Sequence, residues 1–165
     1  MPQSDWRLSQ KGREAARALA GRLRTFDSPA IRSSTERNAL ETAEILAEVL
    51  DRPVRAEPGL REHDRGSLGY MSRVQLEAGV EKLLASDEEL VFGVETFRSV
   101  FDRIEQALHA AVAAAGRDVL AITHGTAAAI FVSRRYGVDA VTLWHSLGTP
   151  AAIVLQDDRL ERVVQ

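Results

Sequence analysis

VLAITHGTAAAIF (residues 119–131) decides how this chain is read. Its first five residues are apolar or β-branched, which suits a buried strand, and an alanine-rich helical pattern follows. His124 and Gly125 stand at the handover. A strand passing straight into a helix is the building unit of a parallel α/β sheet. The imidazole at that junction admits two readings. It is a capping residue near the surface, or it belongs to an anion pocket, because a helix N-terminus offers unpaired N–H groups and a partial positive charge.

The flanking segments extend the same pattern. Upstream, the longest helix is expected from about Glu95 to Ala115, with Phe97, Val100, Phe101, Ile104, Leu108, Ala111 and Val112 on one 3.6-period stripe and Gly116 as its stop. Near the start, Ser9 is a plausible N-cap for a helix to about Arg24 that carries Ala15, Leu19 and Leu23. Asp27, Ser28 and Pro29 read as a turn into a short strand, Ala30 to Ser33. Ser33 and Glu36 are spaced as a capping box for a helix to Leu50, striped by Ala39, Ala43, Leu46 and Leu50. VRAE gives another strand. GLREHDRGSLGYMS (residues 59–72) is a long polar loop, the kind of segment that often carries function. Ser72 is expected to cap a helix to about Ala85. Downstream of the helix ending near Tyr136, VTLWHSLGTP reads as a loop, and AAIVLQ and RLERVV form a closing hairpin around Asp157 and Asp158. The order predicts one α/β domain over residues 1–165, a three-layer sandwich whose sheet is mostly parallel with an antiparallel edge.

Composition narrows the chemistry. Over 165 residues the apolar fraction is 45%, the charged fraction 27% and the net charge −3, so no electrostatic footprint for nucleic acid or an anionic membrane is present. No cysteine occurs, which removes disulfides, thiol nucleophiles and zinc–thiolate sites. No apolar run approaches the roughly 20 residues of a membrane span, and MPQSDWRLSQKG has no apolar signal segment, so the cytoplasm is the expected compartment.

Four stretches, read together, carry a resemblance: LSQKGREAARALAGRL, SSTERNALETAEIL, GLREHDRG and AITHGT, in this order and at these spacings. The chain resembles the histidine phosphatase superfamily, the phosphoglycerate mutase-like proteins, over nearly its whole length. The resemblance implies hydrolysis or transfer of a phosphomonoester through phosphohistidine, with no metal or organic cofactor. One histidine attacks phosphorus; a second histidine and two arginines clamp the phosphoryl oxygens; a carboxylic acid protonates the leaving oxygen. Fixed cationic donors suit a transferring phosphoryl group because negative charge spreads over its equatorial oxygens, and an alkoxide leaves more readily when an acid is in place. Carried over by position, His124 matches the second histidine and Glu62 the proton donor. Asn38 falls where the family's second clamp arginine stands, with Arg37 one position away. Ser9, Ser34 and Gly125 complete the candidate phosphate-binding set. A metal site from Glu62, His63 and Asp64 is the weaker reading of that loop, since adjacent residues rarely converge on one ion.

The family's opening strand ends in Arg-His-Gly and supplies the nucleophile and the first clamp arginine; the 165 residues contain no such motif. The expectation is a chain with half of a phosphotransfer site, inactive or weak by itself, whose start is either assigned too late or truly truncated. A buried strand of about five apolar side chains is worth about 7–15 kcal/mol gross, so its loss predicts a marginal domain with unpaired edges. Partners are expected to be phosphate or a phosphorylated small molecule, not nucleic acid or membrane. Two rival classes are a phospholigand-binding module without turnover and a structural partner in a homodimer built on the exposed sheet edge. His109, off the apolar stripe of its helix, is expected to be exposed, and His145 is read as structural, with the pocket rim as its alternative place.

Overall fold

The computed structural model describes residues 6–26, 30–68, 71–156 and 159–164. Helix α1 (Gln10–Leu23) leads through strand β1 (Ala30–Ser33) to α2 (Arg37–Leu50) and β2 (Val54–Ala56). A single 3-10 turn (Pro58–Leu60) precedes the long loop, which is followed by α3 (Arg73–Leu84) and α4 (Phe97–Ala115). Strand β3 (Val119–Ile122) feeds α5 (Gly125–Tyr136), then α6 (Ala140–Ser146) and the strands β4 (Ala152–Gln156) and β5 (Arg159–Val164).

Three strands form a parallel sheet in the order β2-β1-β3, with Ile31 beside Val54 and Leu120, and Arg32 beside Arg55 and Ala121. The antiparallel pairing of β4 with β5 is present as a separate two-stranded sheet rather than as an edge of the first. Ala152 and Val164 of this hairpin still pack against the apolar cluster that contains Ile122.

Strand periodicity explains the layers. Successive side chains point to opposite faces. Ile31, Leu120 and Ile122 therefore meet α1 and α2 on one side, in a cluster with Leu19, Leu23, Ala43 and Leu46. On the other side Leu60, Val100, Ile104, Ala127 and Ile130 form the second core, with α3 to α6 around it. Each large apolar side chain buried this way contributes about 1.5–3 kcal/mol.

Most helix starts follow the expected capping chemistry. Ser9 accepts from the Gly12 N–H, Ser72 and Gln75 form a reciprocal capping box, and Thr96 does the same with Ser99. Three local expectations change. Ser33 does not cap α2; its hydroxyl donates to the Ser34 carbonyl, and Glu36 is the N-cap without a side-chain bond. Val112 is 49% exposed, because the last turns of α4 run past the core. Ala140 and the first six residues of VTLWHSLGTP form α6, started by the Asp139 carboxylate accepting from the Thr142 N–H. The turns expected at residues 27–29 and 157–158 lie outside the described residues.

Candidate active site

The C-terminal ends of β1 and β3 place two side chains against each other. Ser34 leaves β1 fully buried, its backbone N–H donating to Ile122 O at 2.8 Å. His124 leaves β3 and occupies the N-cap position of α5, where its side chain makes no cap bond. Its Nε2 lies 2.8 Å from Ser34 Oγ instead, and Ser34 Oγ also accepts from the Glu36 N–H at 3.2 Å. His124 is therefore not a surface cap: its side chain is turned into the fold.

Glu62 meets the same helix start from the other side. It is 6% exposed, and its Oε1 accepts from the Ala127 and His63 N–H groups, both at 2.9 Å. Its Oε2 accepts from the Thr126 N–H at 3.2 Å. An α-helix leaves its first N–H groups without partners inside the helix, and here a carboxylate from the long loop takes two of them. The anion that the α5 N-terminus selects within the fold is thus Glu62 itself, which corrects the expectation that those donors are free for phosphate. Oε1 is saturated, whereas Oε2 keeps a lone pair.

Glu36 is the residue that spacing misassigned. Read as half of a capping box, it instead joins this group: Oε1 accepts from the Glu62 N–H at 2.8 Å and lies 3.7 Å from His124 Nε2. Its Oε2 is buried without a hydrogen-bond partner among the described residues. Ordinary helix-start statistics hide such a residue, because Glu near an N-terminus is already explained by the helix dipole.

The loop carrying Glu62 is fixed by a clamp that begins at α4. Arg103 and Glu95 pair through two contacts, at 2.9 and 3.0 Å. The Arg103 guanidinium also donates to the carbonyls of Gly59 and Arg61 at 2.8 and 3.0 Å, while Glu95 accepts from the Asp64 N–H and from Arg61. Thr123 adds a bond from its hydroxyl to Leu60 O at 2.7 Å. His63, 2% exposed, packs its ring on Phe92 with centroids 4.8 Å apart and sits 3.0 Å from Glu95 O. Burial holds its pKa below the ordinary histidine value, against the pull of the Glu95 carbonyl and of Glu62 and Glu95. Gly93 has φ +79°, and a Cβ there would lie 2.3 Å from Asp64 O, so only glycine lets the two segments meet. The polar loop expected on the surface is thus partly a core element.

The remaining candidates separate. Asn38, half-buried on the first turn of α2, spends its Oδ1 on the Ala39 N–H. Arg37 turns to Glu41, with Nε 3.2 Å from Oε1. Ser9 caps α1 and is exposed. None of the contacts of Arg37 or Ser9 is with the His124 group, so the structure does not bring them into it. Gly125 is exposed at the start of α5, with Trp144 3.7 Å from where its Cβ would be. Glu62, His63 and Asp64 diverge, to α5, to Glu95 and to the Gly66 N–H respectively. His109 is exposed on α4, and His145 pairs with Glu81 at 2.8 Å.

Comparison with known proteins supplies the context for this geometry. The model of the histidine phosphatase superfamily (branch 1) matches residues 1–158. A mycobacterial glucosyl-3-phosphoglycerate phosphatase solved with inorganic phosphate is 28% identical, with a TM-score of 0.68 over 88% of this chain and 76% of that one. YhfR of Bacillus stearothermophilus is 26% identical, with a TM-score of 0.71 over 98% and 85%. A protein described as mycobacterial hydrolase 2 is 26% identical, with a TM-score of 0.72 over 90% and 69%. No curated protein matches the sequence. Among the described residues no helix is long and apolar enough to cross a membrane. The chain belongs to the histidine phosphatase superfamily.

Proposed function

We propose that this chain binds the phosphoryl group of a small phosphomonoester, with His124 as its donor and Glu62 as the acid for the leaving oxygen. The observation that carries the reading is the meeting of His124, Ser34 and Glu62 at one end of the sheet, where β1 and β3 finish and α5 begins. His124 Nε2 points inward at Ser34 rather than capping its helix, so the imidazole is placed to meet a bound oxyanion. The free lone pair on Glu62 Oε2 is where the transferable proton would sit.

Two features hold turnover by these residues down. The family's chemistry uses two histidines, and among the described residues only His124 joins this group: His63 is packed on Phe92, His145 pairs with Glu81 and His109 is exposed. Asn38 stands where an arginine would bring charge, and Glu36 sets a carboxylate 3.7 Å from His124. Loss of a nucleophile alone costs about a millionfold in a well-characterised hydrolase. Binding without turnover is the second reading, and the same two features favour it.

The test follows the His124 imidazole resonance during a phosphate titration, alongside hydrolysis of p-nitrophenyl phosphate. Phosphate should shift that resonance. Glu36→Gln should tighten binding several-fold, because it removes the nearest negative charge. Hydrolysis should stay near background. A resonance that phosphate does not move would overturn the site. Ordinary turnover abolished by His124→Ala would overturn the low-activity reading.

A further inference from the structure

The opposite end of the parallel sheet carries a cluster that the chemistry above does not use. A cleft of about 370 Å³ opens there, lined by Arg32, Arg52, Arg55 and Arg117, with Ala30, Pro53 and the last two residues of α4. Among the described residues, four guanidinium-bearing residues and no Asp or Glu form this lining. They come from three strands or strand entries, so the sheet itself gathers them: Arg32 and Arg55 are register partners on β1 and β2, and Arg117 precedes β3.

Arg32 is the informative member. It is 8% exposed, on the face of β1 opposite Ile31. Its one side-chain hydrogen bond goes from Nη1 to the Ile31 carbonyl at 3.2 Å, and it has no ion pair among the described residues. A guanidinium has five N–H donors and cannot shed its charge. Buried charges are ordinarily paired. Here the neighbour in register is a second arginine instead, and strands lie about 4.8 Å apart. Such like-charged neighbours are destabilising. The C-terminal end of α4 reaches the cleft with a partial negative charge, equivalent to about half an electron. That offsets part of one cation, and Arg32 keeps no counter-charge among the described residues.

We propose that this cleft is a binding site for a small polyphosphate-class anion, a pyrophosphate or a compact bisphosphate, separate from the His124 site. Planar forks match phosphoryl oxygens two at a time, which is why several arginines on one wall select phosphate groups over a diffuse charge. The lining offers alanine and proline but no aromatic ring, so nothing is present to stack a nucleobase. The ligand is therefore compact and highly charged rather than a nucleotide. The site reaches from the residues before β2 and β3 into β1 at Arg32, whose register partner Ala121 lies roughly 10 Å along β3 from His124, and the inference does not depend on the phosphoryl-transfer reading.

Calorimetric titration of the full chain with inorganic pyrophosphate, at constant ionic strength, tests this. The His124→Ala protein should retain a saturable pyrophosphate site. In the Arg55→Ser/Arg117→Ser protein, whose two changed residues are exposed, affinity for that site should fall about tenfold or more. Arg32→Met should abolish it where the variant folds. Equal affinity in the wild-type and double-serine proteins would overturn the proposal. So would loss of all binding in His124→Ala, or no saturable binding by the wild-type chain. Phosphate binding at His124 should be unchanged in the double-serine variant, which keeps failure of one site distinct from failure of the other.

Discussion

The two ends of the β2-β1-β3 sheet are made by the same three strands and have opposite chemistry. At the C-terminal end stand Glu36, Glu62 and His124, with no arginine paired to their side chains among the described residues, and the carboxylates are answered by backbone N–H groups. At the N-terminal end stand four arginines with no carboxylate in the lining. The difference teaches that a buried charge can be stabilised by directed dipoles as well as by a counter-charge. Glu62 is satisfied within the fold. Arg32 is not, and that asymmetry is what marks its cleft as open to a ligand.

The sharpest break of this comparison is Glu62→Ala. It strands the Thr126, Ala127 and His63 N–H groups, and unfolding in denaturant should show a loss of about 3 kcal/mol. Glu62→Gln should recover part of it, since the amide oxygen still accepts. A loss below about 1 kcal/mol in the alanine variant would show that α5 does not need this acceptor.

Glu41 sharpens the contrast from a third position, because it uses both devices at once. It is 3% exposed between α1 and α2, accepts from the Leu8 N–H, and is paired with Arg13 and Arg37. Burial pushes its carboxyl pKa up, but the Leu8 N–H and the two arginines outweigh it and hold the value below the ordinary 4.5. A lowered folded-state pKa means the unfolded chain takes the proton first. The contribution of Glu41 is therefore complete above about pH 4.5 and is lost as pH falls through the lowered value. Glu41→Gln should cost about 2 kcal/mol at neutral pH, discounted from a fully buried pair because Arg13 and Arg37 reach solvent. The cost should shrink in acid. A penalty that stays constant from pH 7 to pH 3 would remove the electrostatic account.

The smallest effect is expected at the arginine end. Removing two exposed cations that have no ion pair among the described residues should leave stability within about 0.5 kcal/mol of wild type, or raise it slightly by relieving repulsion. A loss above about 1 kcal/mol in Arg55→Ser/Arg117→Ser would mean that the cluster is structural, and the contrast between the two ends would fail.

Helices and strands were legible where one face meets a core. The periods of α1, α2 and α4, the five apolar or β-branched residues before His124, and the caps Ser9 and Ser72 all translate into the observed elements. His124 and Glu62 were legible as a pair only through motif order, and the structure joins both to the start of α5. Short α6 was missed, as seven residues give no clear period. His63, named only in the weaker metal reading of its loop, was not legible as a buried ring, because its charged neighbours disguise it within a solvated pattern.

The order of elements, the α/β class and the histidine at the strand-to-helix junction follow from local spacing and side-chain type alone. Only the tertiary structure decided which partners the charges take. It gave the α5 N–H groups to Glu62, turned the Glu36 side chain from a capping box with Ser33 to the side of His124, sent Arg37 to Glu41, and gathered Arg32, Arg52, Arg55 and Arg117 around one cleft. Periodicity reports whether a residue faces solvent or core. It is silent on which charges meet across the sheet, since those partners lie tens of residues away and only packing brings them within a few ångströms.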